Sequence, residues 1–123
     1  MLLALALLTV LHAAPAADSV AGTWQIKGDV MGNPLNEVCT ITQEGSSLKG
    51  SCTSAASDKS YDLTGELKDG KITFRHGGDY QGEALTIVYT GTLDSPAEIK
   101  GTVDVQPYDV SGDFTAVPAP AKP

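Results

Sequence analysis

Basic residues are scarce in this chain, and their scarcity restricts its partners. The 123 residues contain 8 Lys and Arg against 15 Asp and Glu, a formal net charge of −7. The sequence pI is near 4.5. An acidic domain without a basic stripe repels the phosphates of nucleic acid and the surface of anionic membranes. We therefore exclude nucleic acid as a partner.

Cysteine and histidine are too few to build a metal or nucleophile site. The chain has two cysteines, Cys39 and Cys52, and two histidines, of which only His76 lies outside the apolar start. That set cannot complete a tetrahedral zinc site. His76 with Asp79 and Glu83 is a conceivable metal group, but its spacing is weak, and no catalytic motif is recognisable. We predict no metal, no cofactor and no enzymatic activity.

Only one long apolar run occurs, at the start of the chain. Residues 2–11 are apolar except for Thr9, too short a stretch to span a bilayer as a helix, and Ala14-Pro15-Ala16 fits a small-x-small cleavage site. We predict that residues 1–17 are a signal peptide. The mature protein would be secreted or periplasmic, with no membrane insertion after cleavage.

Residues 39–52 have the pattern of a β-hairpin closed by its own disulfide. A two-residue loop at Gly45-Ser46 pairs Glu44 with Ser47, and the same register sets Cys39 opposite Cys52. That pair falls at a non-hydrogen-bonded position, where Cα atoms lie roughly 4.5 Å apart, within disulfide range. An oxidising compartment would preserve the bond. Free thiols or metal ligands are the alternative interpretation.

The mature chain lacks helical periodicity, and alternating apolar residues predict eight short strands. A second hairpin turns at Asp69-Gly70 and sets Leu63 opposite His76, whereas residues 77–82 are predicted to form a glycine-rich loop. We predict an all-β, eight-stranded up-and-down antiparallel barrel over residues 18–116, with a Pro-rich disordered tail at 117–123. A two-sheet sandwich also fits the alternation. Inward glycines would either permit strand curvature or leave room inside: Gly50, Gly65, Gly91, Gly101 and Gly112.

Gly22-Thr23-Trp24, which opens the first strand, resembles the Gly-x-Trp signature of the calycins. These include lipocalins, avidins and small bacterial lipocalin-like proteins, and the resemblance in strand order and glycine placement spans residues 22–116. It implies a lipocalin- or avidin-like barrel in which Trp24 closes one end. No Arg follows the last strand as in true lipocalins, and the single Trp does not match an avidin, so biotin is rejected. A small exported lipocalin-like barrel is what the chain resembles.

Strand direction places several polar residues at the end opposite Trp24. Inward parity brings Glu37 and His76 to the same open end although they belong to different hairpins. An apolar cup with a few polar groups at its mouth is typical of a small-ligand site. We predict binding of a small, largely apolar molecule, with five candidate contacts: Glu37, Tyr61, His76, Tyr89 and Tyr108.

Three alternatives to this site remain open at this stage. Glu37 and His76 could be solvated rim residues, and Tyr61 and Tyr89 could be core aromatics. The barrel could be an interaction or inhibitor module with a filled core, since eight strands leave an interior that side chains can fill. It could also be a small enzyme that uses Glu37 and His76 as acid and base.

Overall fold

Eight antiparallel strands form a closed barrel in which each strand pairs with its neighbours in sequence and the last pairs with the first. The computed structural model describes residues 19–55, 57 and 59–120, so the predicted signal peptide at 1–17 and residues 121–123 lie outside the described part. The predicted up-and-down barrel is confirmed. The strands are β1 Gly22–Val30, β2 Asn33–Glu44, β3 Ser47–Ser54, β4 Ser60–Lys68, β5 Lys71–Tyr80, β6 Glu83–Ser95, β7 Glu98–Gln106 and β8 Val110–Pro118.

The registers of both predicted hairpins are present. Cys39 pairs with Cys52 across β2 and β3, their Cα atoms are 4.0 Å apart, and the two residues form the predicted disulfide. Leu63 pairs with His76 across β4 and β5. The turn residues and the apolar alternation therefore determined the same register, because a slip of one residue would turn every inward side chain outward.

The predicted glycine-rich loop at residues 77–82 is wrong. β5 continues through Gly77 and Gly78 to Tyr80, these residues pair with the start of β6, and only Gln81-Gly82 form the turn. A glycine in a strand still carries both backbone hydrogen-bonding groups, so it weakens a ladder without ending it. The open end of the barrel is consequently taller on this side than the sequence indicated.

The barrel also extends beyond its predicted end at residue 116. β8 includes Val117 and Pro118, which pair with Gln25 and Trp24 of β1, and the Ala119 amide donates a hydrogen bond of 2.9 Å to the carbonyl of Thr23. The predicted tail therefore starts too early. Prolines are typical of disordered tails, but at the end of a strand the missing N–H of proline is tolerated.

The inward glycines serve close strand approach rather than open space. A Cβ atom at Gly50 would lie 1.8 Å from the carbonyl oxygen of Thr40, and one at Gly112 would lie 1.9 Å from that of Asp29. Gly65, Gly91 and Gly101 would meet the backbone of an adjacent strand at 2.0–2.7 Å. These glycines let strongly coiled strands pack in a narrow barrel. The curvature interpretation is thus correct, and the interpretation that they provide space is wrong.

The two ends of the barrel differ, and we name them by their connections. The closed half carries the turns after β2, β4 and β6, and the open half carries the connections after β1, β3, β5 and β7. In the closed half Trp24 is 4% exposed, and its Nε1 donates a 2.9 Å hydrogen bond to the carbonyl of Val20. Val20, in the segment before β1, is fully buried, and its amide donates to Gln43 Oε1. Within the described ranges no helix is long and apolar enough to cross a membrane.

Aromatic side chains pack across the middle of the barrel. The rings of Phe74 and Tyr89 stack with centroids 4.7 Å apart, and Phe114 meets Tyr89 edge-on at 4.8 Å. All three are buried. This aromatic layer fills the barrel at mid-height, and the layer directly above it contains His76 and Glu37. The layer sets how deep any cavity in the open half can be.

Candidate functional site

The open half contains a cavity of about 1070 Å³ that opens to solvent between the strand ends. Six inward aliphatic side chains from five strands line it: Val30, Leu35, Leu85, Ile87, Val105 and Val110. Gly77 and Gly78 also line it, where β5 passes without a side chain. A Cβ at Gly78 would lie 3.1 Å from Cδ1 of Ile87. A Cβ at Gly77 would lie 3.2 Å from Cδ1 of Tyr61, so both glycines let a neighbouring side chain pack closely against the β5 backbone at the cavity wall.

Four of the five predicted ligand contacts line this cavity: Glu37, Tyr61, His76 and Tyr108. Glu37 is 6% exposed and His76 is 4% exposed, so the alternative that both are solvated rim residues is wrong. Tyr108 lies at the mouth. Tyr89 is fully buried and lies outside the cavity lining, so its assignment as a ligand contact is corrected. Its alternation was read correctly, but its depth in the barrel was not.

Glu37, His76 and Tyr89 form a buried hydrogen-bonded network. His76 Nε2 lies 2.7 Å from Glu37 Oε1, and the Tyr89 hydroxyl donates to the same oxygen at 2.5 Å. The three residues come from β2, β5 and β6, so the network crosses the barrel interior. It holds a carboxylate where an isolated one would be costly.

The hydrogen-bond geometry assigns the protons in this network. His76 Nδ1 lies 2.5 Å from the carbonyl oxygen of Gly77, which can only accept, so Nδ1 carries a proton. His76 Nε2 and Glu37 Oε1 share the proton of the second hydrogen bond. When that proton lies on His76, both ring nitrogens donate, and the pair is an imidazolium with a carboxylate.

The electrostatics agree with that assignment. Burial lowers the pKa of His76, but the hydrogen bond to Glu37, the charge of Glu37 and the carbonyl of Gly77 together raise it above its ordinary value. Burial, followed by the charge and hydrogen bond of Glu37, raises the pKa of the Tyr89 hydroxyl. Tyr89 therefore remains a neutral donor, and Glu37 favours the charged form of His76.

The second carboxylate oxygen of Glu37 faces the cavity. Both hydrogen bonds of this side chain end on Oε1, and Glu37 has no other described polar partner. No buried side-chain nitrogen or oxygen of the described residues lacks a partner. Since Glu37 lines the cavity, Oε2 must be an accessible atom of its floor. It is an acceptor surrounded by apolar walls.

The disulfide sits beside Glu37 and rules out one use of its carboxylate. Cys39 Sγ lies 3.8 Å from Glu37 Oε1, and the carboxylate and both sulfurs fall within 4.8 Å of one another. Both sulfurs are bonded to each other and carry no proton. They therefore cannot act as thiolate ligands, and this group is not a thiolate metal site.

Polar contacts at the mouth separate the residues of the conceivable metal group. Asp79 pairs with Lys59 at 3.2 Å, and Glu83 Oε2 accepts from the Tyr108 hydroxyl at 2.5 Å. That hydrogen bond raises the pKa of Tyr108, with burial and the charge of Glu83 adding to it. Tyr80 meets Tyr108 edge-on at 6.2 Å. His76, Asp79 and Glu83 thus have separate partners.

Comparison with known proteins identifies the fold and no family. No protein-family model and no curated protein matches the chain. One solved redesigned beta barrel shares 13% identity at a TM-score of 0.65, over 81% of this chain and 91% of that chain. Another, the redesigned beta barrel mFAP1 bound to DFHBI, shares 14% identity at a TM-score of 0.53, over 80% and 94%. At such low identity the likeness concerns the barrel architecture alone.

Proposed function

We propose that this barrel binds a small, largely apolar molecule in the cavity of its open half. The observation that carries the proposal is the cavity of about 1070 Å³, walled by aliphatic side chains and floored by a buried polar pair. Ligand sites in proteins are commonly concave, mostly apolar and provided with a few convergent polar groups. The solved mFAP1 barrel, bound to DFHBI, supports the idea that a barrel of this shape can hold a ligand.

The cavity favours binding over the two alternatives. An inhibitor module with a filled core needs side chains throughout the interior, whereas this interior is filled only as far as the aromatic layer. An enzyme that used Glu37 and His76 as acid and base would need both groups free to reach a substrate, whereas both nitrogens of His76 are engaged by Glu37 and Gly77. A binding role without catalysis is therefore part of the proposal.

We also propose that the protein works outside the reducing cytosol. The disulfide between Cys39 and Cys52 supports this, since such bonds persist mainly in oxidising compartments. The apolar start of the sequence supports it independently, as a candidate signal peptide. Cleavage at residue 17 followed by export to the periplasm or medium is the expected route.

A neutral fluorescent dye tests the proposal with a matched pair of variants. Leu35 and Val38 lie three residues apart on β2, and Leu35 lines the cavity whereas Val38 is exposed on the outside of the barrel. Nile red should become fluorescent on binding the wild type and Val38→Trp. Leu35→Trp, which projects a larger side chain into the cavity, should reduce the dye affinity by about tenfold or more.

Native mass spectrometry of the oxidised protein purified from its host should also show a co-purified small molecule that Leu35→Trp loses. Unfolding curves of both variants serve as the control, since each must retain a cooperative transition. The proposal fails if the wild type does not bind the dye, or if both Trp variants bind it equally well.

A further inference from the structure

We infer that the ligand carries a hydrogen-bond donor on an apolar body, that Glu37 Oε2 accepts this donor at the cavity floor, and that the site discriminates against carboxylates. The inference rests on the proposed function, because it names the chemical class that the same cavity would take. An amphiphile with a hydroxyl or amine end fits it, and a fatty acid does not.

The floor offers an acceptor that no described residue occupies. A carboxylate can only accept, and the two hydrogen bonds to Glu37 both end on Oε1. Oε2 is left facing a space whose lining includes aliphatic side chains from five strands. A ligand donor there would make a charge-assisted hydrogen bond, which is stronger than a neutral one and stronger still in an apolar setting.

The same floor offers no free cation to an anion. Of the described residues that line the cavity, His76 and Lys59 are the cationic ones. His76 is fully engaged by Glu37 and Gly77, and Lys59 lies exposed at the mouth in an ion pair with Asp79. A carboxylate ligand reaching the floor would meet Glu37 without a free cation and would lose its own hydration. Repulsion and desolvation both oppose it.

The depth of the cavity limits the apolar body. Glu37 lies four residues from Asn33, where β2 begins at the mouth. With a strand rise near 3.3 Å per residue and a tilt near 40°, the floor lies about 10 Å below the mouth, roughly the length of an extended eight-carbon chain. Ligands with eight to ten carbons should therefore reach Oε2 while their far end meets the rim tyrosines, Tyr80 and Tyr108.

Four ligands with decyl or decanoyl chains distinguish the need for a hydrogen-bond donor from the discrimination against carboxylates. We would displace Nile red from the wild type with 1-decanol, decylamine, methyl decanoate and decanoate. The two donors, decanol and decylamine, should displace the dye at concentrations about tenfold below those of the neutral acceptor methyl decanoate and of decanoate. Methyl decanoate separates the need for a donor from simple charge repulsion.

Variants of two carboxylates test whether Glu37 causes the preference for donor ligands over carboxylates. In Glu37→Gln, decylamine should lose about tenfold in affinity, and its preference over decanoate should fall to about threefold or less. Glu83→Gln removes the same charge at the rim, where Glu83 bonds Tyr108, and should keep the wild-type order. Retention of that order by Glu37→Gln, or its loss in both variants, would overturn the assignment to Oε2.

The wild-type series stands even if a variant unfolds. Equal displacement by all four ligands, or tighter binding of decanoate, would overturn the inference while leaving the proposed function in place. Failure of Nile red to bind the wild type would instead remove the proposed function itself. The two failures are therefore distinguishable.

Discussion

The same eight strands build a packed half and a hollow half. Below the aromatic layer, Trp24, Leu48 and Ile72 are buried and fill the interior. Above it, the inward residues Leu35 and Leu85 are only half-buried and surround a cavity. The backbone ladder is continuous through both, so strand pairing cannot be what distinguishes them. The packed core and the cavity therefore occupy separate halves of one barrel, and the inward side chains are what distinguishes the two halves.

The division predicts a large difference between matched truncations in the two halves. Trp24→Ala should lower the free energy of unfolding by about 3–5 kcal/mol, because it empties a packed site and leaves the Val20 carbonyl without its donor. Leu85→Ala, in the cavity wall, should cost less than about 1.5 kcal/mol, because Leu85 already borders open space. Urea denaturation of both variants measures this. Equal losses would mean that the open half is as tightly packed as the closed half.

Removing the disulfide tests whether the bond between β2 and β3, near the boundary of the two halves, contributes to stability. Cys39 and Cys52 are separated by 13 residues, and closing a ring of about that size stabilises a fold by about 3 kcal/mol in the chain-entropy model. The double variant Cys39→Ala with Cys52→Ala should lose about this much in guanidinium denaturation. Reductant should shift the wild type toward the variant and leave the variant unchanged. A loss below about 1 kcal/mol would show that β2 and β3 are held by the barrel alone.

The sequence predicted the packed half better than the hollow one, for a physical reason. In the closed half, the turn at Asp69-Gly70 and the alternation around it determine the register, and register determines which residues are buried. In the open half, Gly77 and Gly78 suggested a loop, because the sequence does not show that β6 supplies them with partners. Where a strand ends beside glycines depends on its pairing with the neighbouring strand, and the local sequence does not indicate that pairing.

The sequence predicted which side chains of the candidate site point inward, but it did not predict which of them form hydrogen bonds with one another. Parity sent Glu37 and His76 inward to one end, and they lie 2.7 Å apart. The hydrogen bond from Tyr89 crosses between β2 and β6, strands that do not pair with each other. Such a contact depends on barrel diameter and side-chain length rather than on register. The sequence offered one signal for this hydrogen bond: Tyr89 points inward on β6, and no other inward residue of that strand at the same height is polar.

The pH dependence of stability should come from the pair between the halves. The raised pKa of His76 means that its contribution is complete below the unfolded value near 6.5 and is lost as pH rises through the folded pKa. Between those values the free energy of unfolding should fall by up to about 1.4 kcal/mol per pH unit. In Glu37→Gln the cause that remains largest is burial, which lowers the pKa of His76, so this fall should disappear.

NMR titration of the His76 ring with urea denaturation at pH 6 and pH 8 measures both effects. Glu83→Gln is the control for a change in net charge at a distant rim carboxylate, and it should behave as the wild type. A His76 pKa that does not fall in Glu37→Gln would show that Glu37 is not the group that holds the proton on the ring.

The turns extend the comparison to the backbone. Asp69-Gly70 in the closed half and Met31-Gly32 and Gln81-Gly82 in the open half all have both residues at positive φ. Such two-residue turns favour Asn, Asp or Gly at the first position, since other side chains crowd the backbone there. The closed half has the favoured Asp69, and the open half has Met31 and Gln81. Backbone strain retained beside a candidate binding site is consistent with a role for those side chains.

Replacing Met31 should therefore separate stability from binding, with the smallest effect of this series. Met31→Asn should raise the free energy of unfolding by about 0.5 kcal/mol, because Asn adopts the left-handed conformation more readily than Met. Asp69→Asn, in the same turn geometry, should change it by less than about 0.3 kcal/mol. Met31 is 74% exposed and lines the cavity mouth, so its loss should also weaken Nile red binding by about twofold. A variant that gained stability and kept full dye affinity would show that Met31 contributes neither to stability nor to dye binding. The open half would then differ from the closed half in its cavity alone.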